Sequence, residues 1–266
     1  MRHPLVRAGL SVQLILALSA TWSAGAAAQP GAGPRETVDQ PFTTAIPNSP
    51  TGLGYTGVYH AAGNPRGNPP YMRRMVFFPP RGMRYDTSVP DRCSAPDAEL
   101  EVMGPAACPP GSRLGGGTLE GLIFEPVAHA FVLDHFKHPL EILNGANQQI
   151  ILIKSEVYAV VRGRIRPDGS LDFDLPACFP EPPTGQCLVR DYILQLRSST
   201  FLPAYKKTVG GRVRSYATTP KSCPRTGYWR TTVRFWWAGG AVDSVASREP
   251  CRRPRSRRNH SRSHPK

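Results

Sequence analysis

Six cysteines are the residues of this chain whose possible chemistry is most constrained by spacing. Neighbouring pairs are 15, 9 and 28 residues apart, whereas cysteine ligands of zinc usually lie about two to four residues apart. An even number of cysteines in an exported chain indicates disulfides and leaves no free thiol for catalysis. Because short loops close at the lowest entropic cost, we predict the pairs Cys93 with Cys108, Cys178 with Cys187, and Cys223 with Cys251.

A second group of potential metal ligands comprises His129, Asp134, His135 and His138. Side chains alternate between the two faces of a strand. His129 and His135 would therefore point one way, and Asp134 and His138 the other. Four ligands would not converge on one ion, so we predict neither a metal nor a cofactor.

Carboxylates are the remaining candidates for catalysis, since glycosidases use two acids a few ångströms apart. The candidate acids are Glu120, Glu125, Asp172 and Asp174. No serine nucleophile motif is present, because the segment Gly111–Gly115 reads G-S-R-L-G and lacks the residue before the serine. The sequence favours a non-catalytic protein. The alternative is a secreted hydrolase that acts on an envelope polymer through paired carboxylates.

Positive charge is concentrated in the C-terminal segment, residues 252–266. This segment carries seven of the net +14 charges, residues 1–28 carry two, and residues 29–251 carry the other five. A basic run without apolar residues is typical of a disordered tail that binds polyanions. The candidate polyanion-binding residues are Arg252, Arg253, Arg255, Arg257, Arg258 and Arg262.

A second candidate binding surface lies on the predicted strand from Tyr228 to Trp237. Its odd-numbered residues are mostly apolar and are predicted to face the core. The even-numbered residues Tyr228, Arg230, Arg234 and Trp236 would then form an outer face that can hold an anionic envelope polymer or glycan by charge and stacking. The competing interpretation is that arginine stems simply cover aromatic surface.

The N-terminus predicts export. Arg2, His3 and Arg7 precede an apolar run and then an alanine-rich site ending at Ala28, which is the pattern of a signal peptide over residues 1–28. The run is shorter than the roughly 20 residues of a spanning helix, so no transmembrane anchor is expected. We predict a secreted or cell-envelope protein, for which specific nucleic-acid binding is not expected.

The elements that must position these residues are mostly strands. Residues 29–70 are rich in proline and glycine and predict a flexible arm. Residues 71–251 contain about nine or ten short strands separated by turn residues, and these predict an all-β domain with a single β-sandwich. One short helix is expected between Cys93 and Cys108, with Ser94 as its cap and Leu100 and Met103 on one face.

Two stretches resemble a family of exported actinobacterial, disulfide-containing, β-rich proteins of unknown function. They are "FFPPRGMRYDTSVPDRCSAPDAELEVMGPAACPPGSRLGGGT" and "YATTPKSCPRTGYW". The resemblance implies a secreted β-rich domain, and this chain differs in its polybasic tail and in the pair Cys178 and Cys187. Together these observations predict a secreted protein that binds or organises an envelope or extracellular component.

Overall fold

The computed structural model describes residues 34–127, 130–155, 157–175, 178–181, 186–189 and 193–252. One α-helix, α1, spans Asp97–Met103, and short 3-10 turns span Gly104–Ala107, Pro110–Ser112 and Ala238–Gly240. The strands are β1 (Glu36–Asp39), β2 (Leu53–Tyr59), β3 (Met72–Phe78), β4 (Arg84–Tyr85), β5 (Arg113–Val127), β6 (Ala130–Gly145), β7 (Gln148–Lys154), β8 (Tyr158–Ile165), β9 (Leu171–Asp174), β10 (Cys178–Glu181), β11 (Gln186–Val189), β12 (Ile193–Leu202), β13 (Lys206–Val209), β14 (Arg212–Ser215), β15 (Ala217–Thr218), β16 (Tyr228–Trp237) and β17 (Val242–Pro250).

Eleven of these strands form one antiparallel sheet in the order β1-β2-β12-β5-β6-β7-β8-β9-β3-β16-β17. The sheet curves until its two end strands, β1 and β17, come together, so it is nearly closed. The all-β class with one short helix is therefore confirmed. The facing layers expected of a sandwich are opposite walls of a single curved sheet.

The core lies inside this curved sheet. On β16 the buried residues alternate with exposed or half-buried ones, as predicted, and Trp229, Val233, Phe235 and Trp237 are almost fully buried. Strand β7 is covered on both sides, which explains its continuous run of isoleucine and leucine. Its Ile150 and Leu152 pack on the outside beneath the helix segment.

Helix α1 is bracketed by the disulfide Cys93–Cys108, as predicted. The helix begins after Pro96, and no side chain caps it. The prediction that Ser94 caps the helix is therefore wrong. Only Leu100 is buried, while Met103 is half exposed. Leu100 packs with both cysteines against Ile150 and Leu152, so the disulfide fastens α1 onto the outer surface of β7.

Of the other two predicted disulfides, Cys223–Cys251 is present, with its Cα atoms 5.5 Å apart. It ties the segment before β16 to the residue after β17. Cys178 and Cys187 lie on the paired strands β10 and β11, where their register partners are Val189 and Pro180. Their side chains lie outside the described residues, so this pair stays a prediction.

Residues 34–70 are not the flexible arm that composition predicted. This segment supplies β1 and β2 to the main sheet, and Leu53, Tyr55 and Tyr59 are buried in the core. The chain here is glycine-rich because its neighbours approach closely. A Cβ atom on Gly57, for example, would collide with the hydroxyl groups of Tyr55 and Tyr59.

The triple glycine that follows the first disulfide has a similar cause. Gly115, Gly116 and Gly117 lie at the start of β5, between β12 and β6. Cβ atoms on Gly115 and Gly117 would clash with backbone oxygens of β12, and one on Gly116 would lie 2.6 Å from the carbonyl oxygen of Leu140. Within the described part of the chain, no helix is long and apolar enough to cross a membrane.

Candidate functional site

A cavity lies inside the nearly closed sheet. Its volume is about 100 Å³, within a larger concave region of about 870 Å³ that includes space open to solvent. The lining is mainly apolar, and it comes from strands on opposite walls. Representative lining residues are Met75, Leu140, Ile151, Ile153, Val161 and Phe173.

Strand β7 shows how the sequence builds this wall. Gln149, Ile151 and Ile153 line the cavity, whereas Ile150 and Leu152 face α1. Although Ile151 and Ile153 point into the protein, both are only half-buried. The surface that they retain is surface of the cavity, so the interior is not filled to normal packing density.

Three hydroxyl groups form a hydrogen-bonded cluster inside the sheet. The Tyr55 and Tyr59 hydroxyls lie 2.7 Å apart, and the Tyr59 hydroxyl lies 2.9 Å from Oγ of Ser198. Burial raises the pKa of Tyr59 to about 12 and that of Tyr55 well above its usual value. Both phenols are therefore neutral hydrogen-bonding groups, and each already has a protein partner.

Two cavity-lining glutamines differ in their hydrogen bonding. Nε2 of Gln149 donates to the Tyr216 hydroxyl at 2.9 Å. Gln40 is only 6% exposed, yet its Oε1 has no hydrogen-bond partner among the described residues. Among the described residues that line the cavity, none carries a charged side chain.

The two ends of the sheet are joined by side chains next to this cavity. Nη1 of Arg35 donates to both carboxylate oxygens of Asp243, at 2.7 and 3.0 Å. The backbone N–H of Gln40 donates to Oγ of Ser247 at 3.0 Å, and that of Phe42 donates to Oε2 of Glu249. We call these contacts between β1 and β17, with their flanking residues, the seam.

The seam also holds a buried acid. Glu36 is 1% exposed, and its Oε1 has no described partner. Burial raises the pKa of Glu36 from 4.5 to about 7, and the nearby Asp243 carboxylate adds to this rise. Burial likewise raises the pKa of Glu249.

The acids considered for catalysis are held in ion pairs rather than paired with each other. Asp172 accepts hydrogen bonds from Arg74 and Arg166, and those from Arg74 contribute most to lowering its pKa. Asp174 is exposed and lies 3.6 Å from Arg74. Glu120 pairs with Lys137, and the side chain of Glu125 lies outside the described residues.

The predicted outer face is present on β16 and is wider than the sequence indicated. Arg230 and Arg234 are exposed, and Tyr228 and Trp236 are half-buried. Neighbouring strands add Arg74, which stacks over Trp236, and Arg248, which stacks over Tyr228. Arg248 also lies directly opposite Arg230 in the β16–β17 register. We call these six residues the arginine face.

The other predicted site residues are less informative. His135 is exposed and His138 half-buried on β6, the side chain of Asp134 is outside the described residues, and so is His129. The described residues contain no cluster of metal-binding side chains. Arg252 is exposed at the end of the described chain, whereas Arg253, Arg255, Arg257, Arg258 and Arg262 lie beyond it.

Sequence reasoning missed the cavity because its parts lie on distant strands, and Gln40 lay within the expected arm. The only sequence feature that could have indicated an apolar interior wall was the apolar run of β7. No protein-family model, curated protein or solved structure matches the chain, so its function is argued from this cavity and from the arginine face.

Proposed function

We propose that this is a secreted, non-catalytic binding protein that holds a small, largely apolar molecule inside its curved sheet. The observation that carries the proposal is the apolar cavity. Natural ligand sites are concave and mostly apolar, with a few polar groups that orient the ligand. An engineered apolar cavity of about 150 Å³ binds benzene. The enclosed part of this cavity, about 100 Å³, therefore suits a short chain, and a ring would extend into the adjoining region that is open to solvent.

Two further observations support this proposal. The sequence carries the pattern of an export signal, and the two disulfides are compatible with an extracellular protein. The candidate acids Asp172 and Glu120 are neutralised by basic partners. Neither acid is arranged as a general acid with a raised pKa.

The direct test is a titration with toluene, followed by ligand-observed NMR. Toluene should bind the full-length exported protein, and Ile151→Trp should weaken its binding at least about tenfold, because the indole would occupy the cavity. Val213→Trp provides the matched control, since it adds the same ring at an exposed residue of β14. Absence of toluene binding by the unmodified protein would refute the proposed function.

A second candidate function is supported by the arginine face. Arg230 and Arg248 face each other across β16 and β17, are both exposed, and have no acidic partner among the described residues. Like charges directly opposite each other are destabilising. Their arrangement favours an anionic ligand, and we propose an acidic polysaccharide of the envelope, held by guanidinium groups that the aromatic rings orient.

Retention on immobilised polygalacturonate at rising salt tests this second function. Arg230→Gln combined with Arg248→Gln should shift elution to lower salt. The control combines Arg66→Gln with Arg81→Gln, which removes the same charge from exposed residues elsewhere. A deletion of residues 252–266 separates the contribution of the tail. Equal shifts in the two double variants would contradict a specific role for the arginine face.

A further inference from the structure

The volume of the cavity limits the size of a ligand, and Gln40 indicates which hydrogen-bonding group the ligand carries. This residue follows β1 directly, and its backbone is fixed by the hydrogen bond to Ser247 across the seam. Its side chain lines the cavity, and the residue is only 6% exposed. Oε1 of Gln40 has almost no accessible surface of its own and no protein donor within the described chain, so a donor in the cavity reaches it when the terminal amide group turns toward the cavity.

An unpaired buried acceptor is uncommon, because it loses its hydrogen bonds to water without replacement. Several of the other polar groups nearby already have protein partners. Tyr55, Tyr59 and Ser198 bond to one another, and the amide nitrogen of Gln149 bonds to Tyr216. Among the described residues that line the cavity, Gln40 is the one with a fully buried side-chain atom that lacks a partner, and that atom, Oε1, requires a donor.

Charge narrows the ligand class further. The described residues that line the cavity offer amides and hydroxyls but no cation. A carboxylate or phosphate would lose its hydration there without gaining a counter-charge, which is strongly unfavourable. A bound molecule must therefore be neutral in the part that enters the cavity.

We infer that the cavity binds a small neutral molecule that carries a hydroxyl or N–H group, and that this group donates a hydrogen bond to Oε1 of Gln40. The apolar part of the molecule lies against the isoleucine and leucine side chains of the opposite walls. This inference rests on the proposed function, since it names the ligand class of the same cavity.

The test compares four molecules of similar size by ligand-observed NMR titration of the full-length protein. Phenol has a hydroxyl donor, anisole has the oxygen without the donor, toluene has neither, and benzoate is charged. Phenol should bind about tenfold tighter than toluene or anisole, because only phenol satisfies Gln40. Benzoate should bind at least about a hundredfold more weakly than phenol.

Gln40→Met keeps the length of the side chain and removes the acceptor. It should bring the affinities for phenol and toluene to within about twofold of each other. Gln148→Met is the matched control, because it makes the same change at a residue that does not line the cavity. It should leave the ratio unchanged.

Each outcome separates this inference from the proposed function. Equal binding of phenol, anisole and toluene by the unmodified protein overturns the role of Gln40 but leaves the cavity as a binding site. Tightest binding of benzoate overturns the neutral class. If none of the four binds, the proposed function itself fails. The comparison within the unmodified protein is decisive even if Gln40→Met does not fold.

Discussion

The buried carboxyl group of Glu36 makes the stability of this protein depend on pH in an unusual direction. Acids in ion pairs usually have lowered pKa values, and stability is then lost as the pH falls. Glu36 has the opposite shift, from 4.5 to about 7, because burial disfavours its charged form and Asp243 lies nearby. Between these two values the folded protein retains a proton that the unfolded chain has released. Stability should therefore fall as the pH rises from about 4.5 to about 7.

The size of this effect follows from the shift. A tenfold change in proton affinity is worth about 1.36 kcal/mol, so the rise from 4.5 to about 7 corresponds to about 3 kcal/mol at most. Because solvent screening reduces such electrostatic contributions, we expect about 1.5 to 3 kcal/mol. Glu36→Gln keeps the shape of the side chain and removes the titration.

Urea denaturation at about pH 5 and about pH 8 measures the effect, because most of the titration of Glu36 lies between these conditions. The free energy of unfolding of the native protein should fall, relative to that of Glu36→Gln, by about 1.5 to 3 kcal/mol between the two conditions. His138, whose pKa burial lowers, contributes in the opposite direction but equally to both proteins. Identical pH dependence in the two proteins would refute the assignment of a raised pKa to Glu36.

Three further tests use urea denaturation to measure how particular contacts support the fold. Cys93→Ala with Cys108→Ala should lower the free energy of unfolding by about 3 kcal/mol, since the disulfide closes a loop of 15 residues; an unchanged value would mean that α1 is held by packing alone. Gly117→Ala should cost about 3 kcal/mol or more, because its methyl group would clash with the Ser199 carbonyl oxygen, whereas Gly210→Ala, in open space, should cost only about 1 kcal/mol of backbone strain. Asp172→Asn should cost about 2 kcal/mol because it weakens the buried contacts with Arg74 and Arg166, and Asp174→Asn, at an exposed acid, should cost less than about 0.5 kcal/mol. Equal losses for either matched pair would contradict the corresponding contact.

Local patterns in the sequence predicted the parts of the fold that local physics determines. The alternation on β16 identified the buried face that includes Trp229 and Phe235, because a strand places successive side chains on opposite sides. Closeness along the chain identified Cys93–Cys108 and Cys223–Cys251. The Asp168–Gly169 sequence is likewise typical of a tight turn, and it lies between β8 and β9, where Gly169 has a φ of +84°.

Features that depend on distant strands were not predictable in this way. Residues 34–70 have the composition of a flexible segment, yet Tyr55 and Tyr59 fill the centre of the core because β12 and β1 flank β2. Ser94 has the right type for a cap, but the N-cap position is occupied by Pro96, and the helix begins at Asp97. The cavity was invisible because Met75, Leu140 and Val161 converge only after the sheet curves.

Strand β1 connects the two unusual features of this protein. Glu36 begins this strand and Gln40 follows it, and each holds a buried oxygen without a described partner. The strand is fixed to β17 by side chains rather than by a backbone ladder, so its attachment is the weaker closure of the sheet. A molecule that donates a hydrogen bond to Gln40 would bind the folded state alone and stabilise it in proportion to its affinity. Ligand binding in the cavity and closure of the sheet between β1 and β17 would therefore involve the same residue, Gln40.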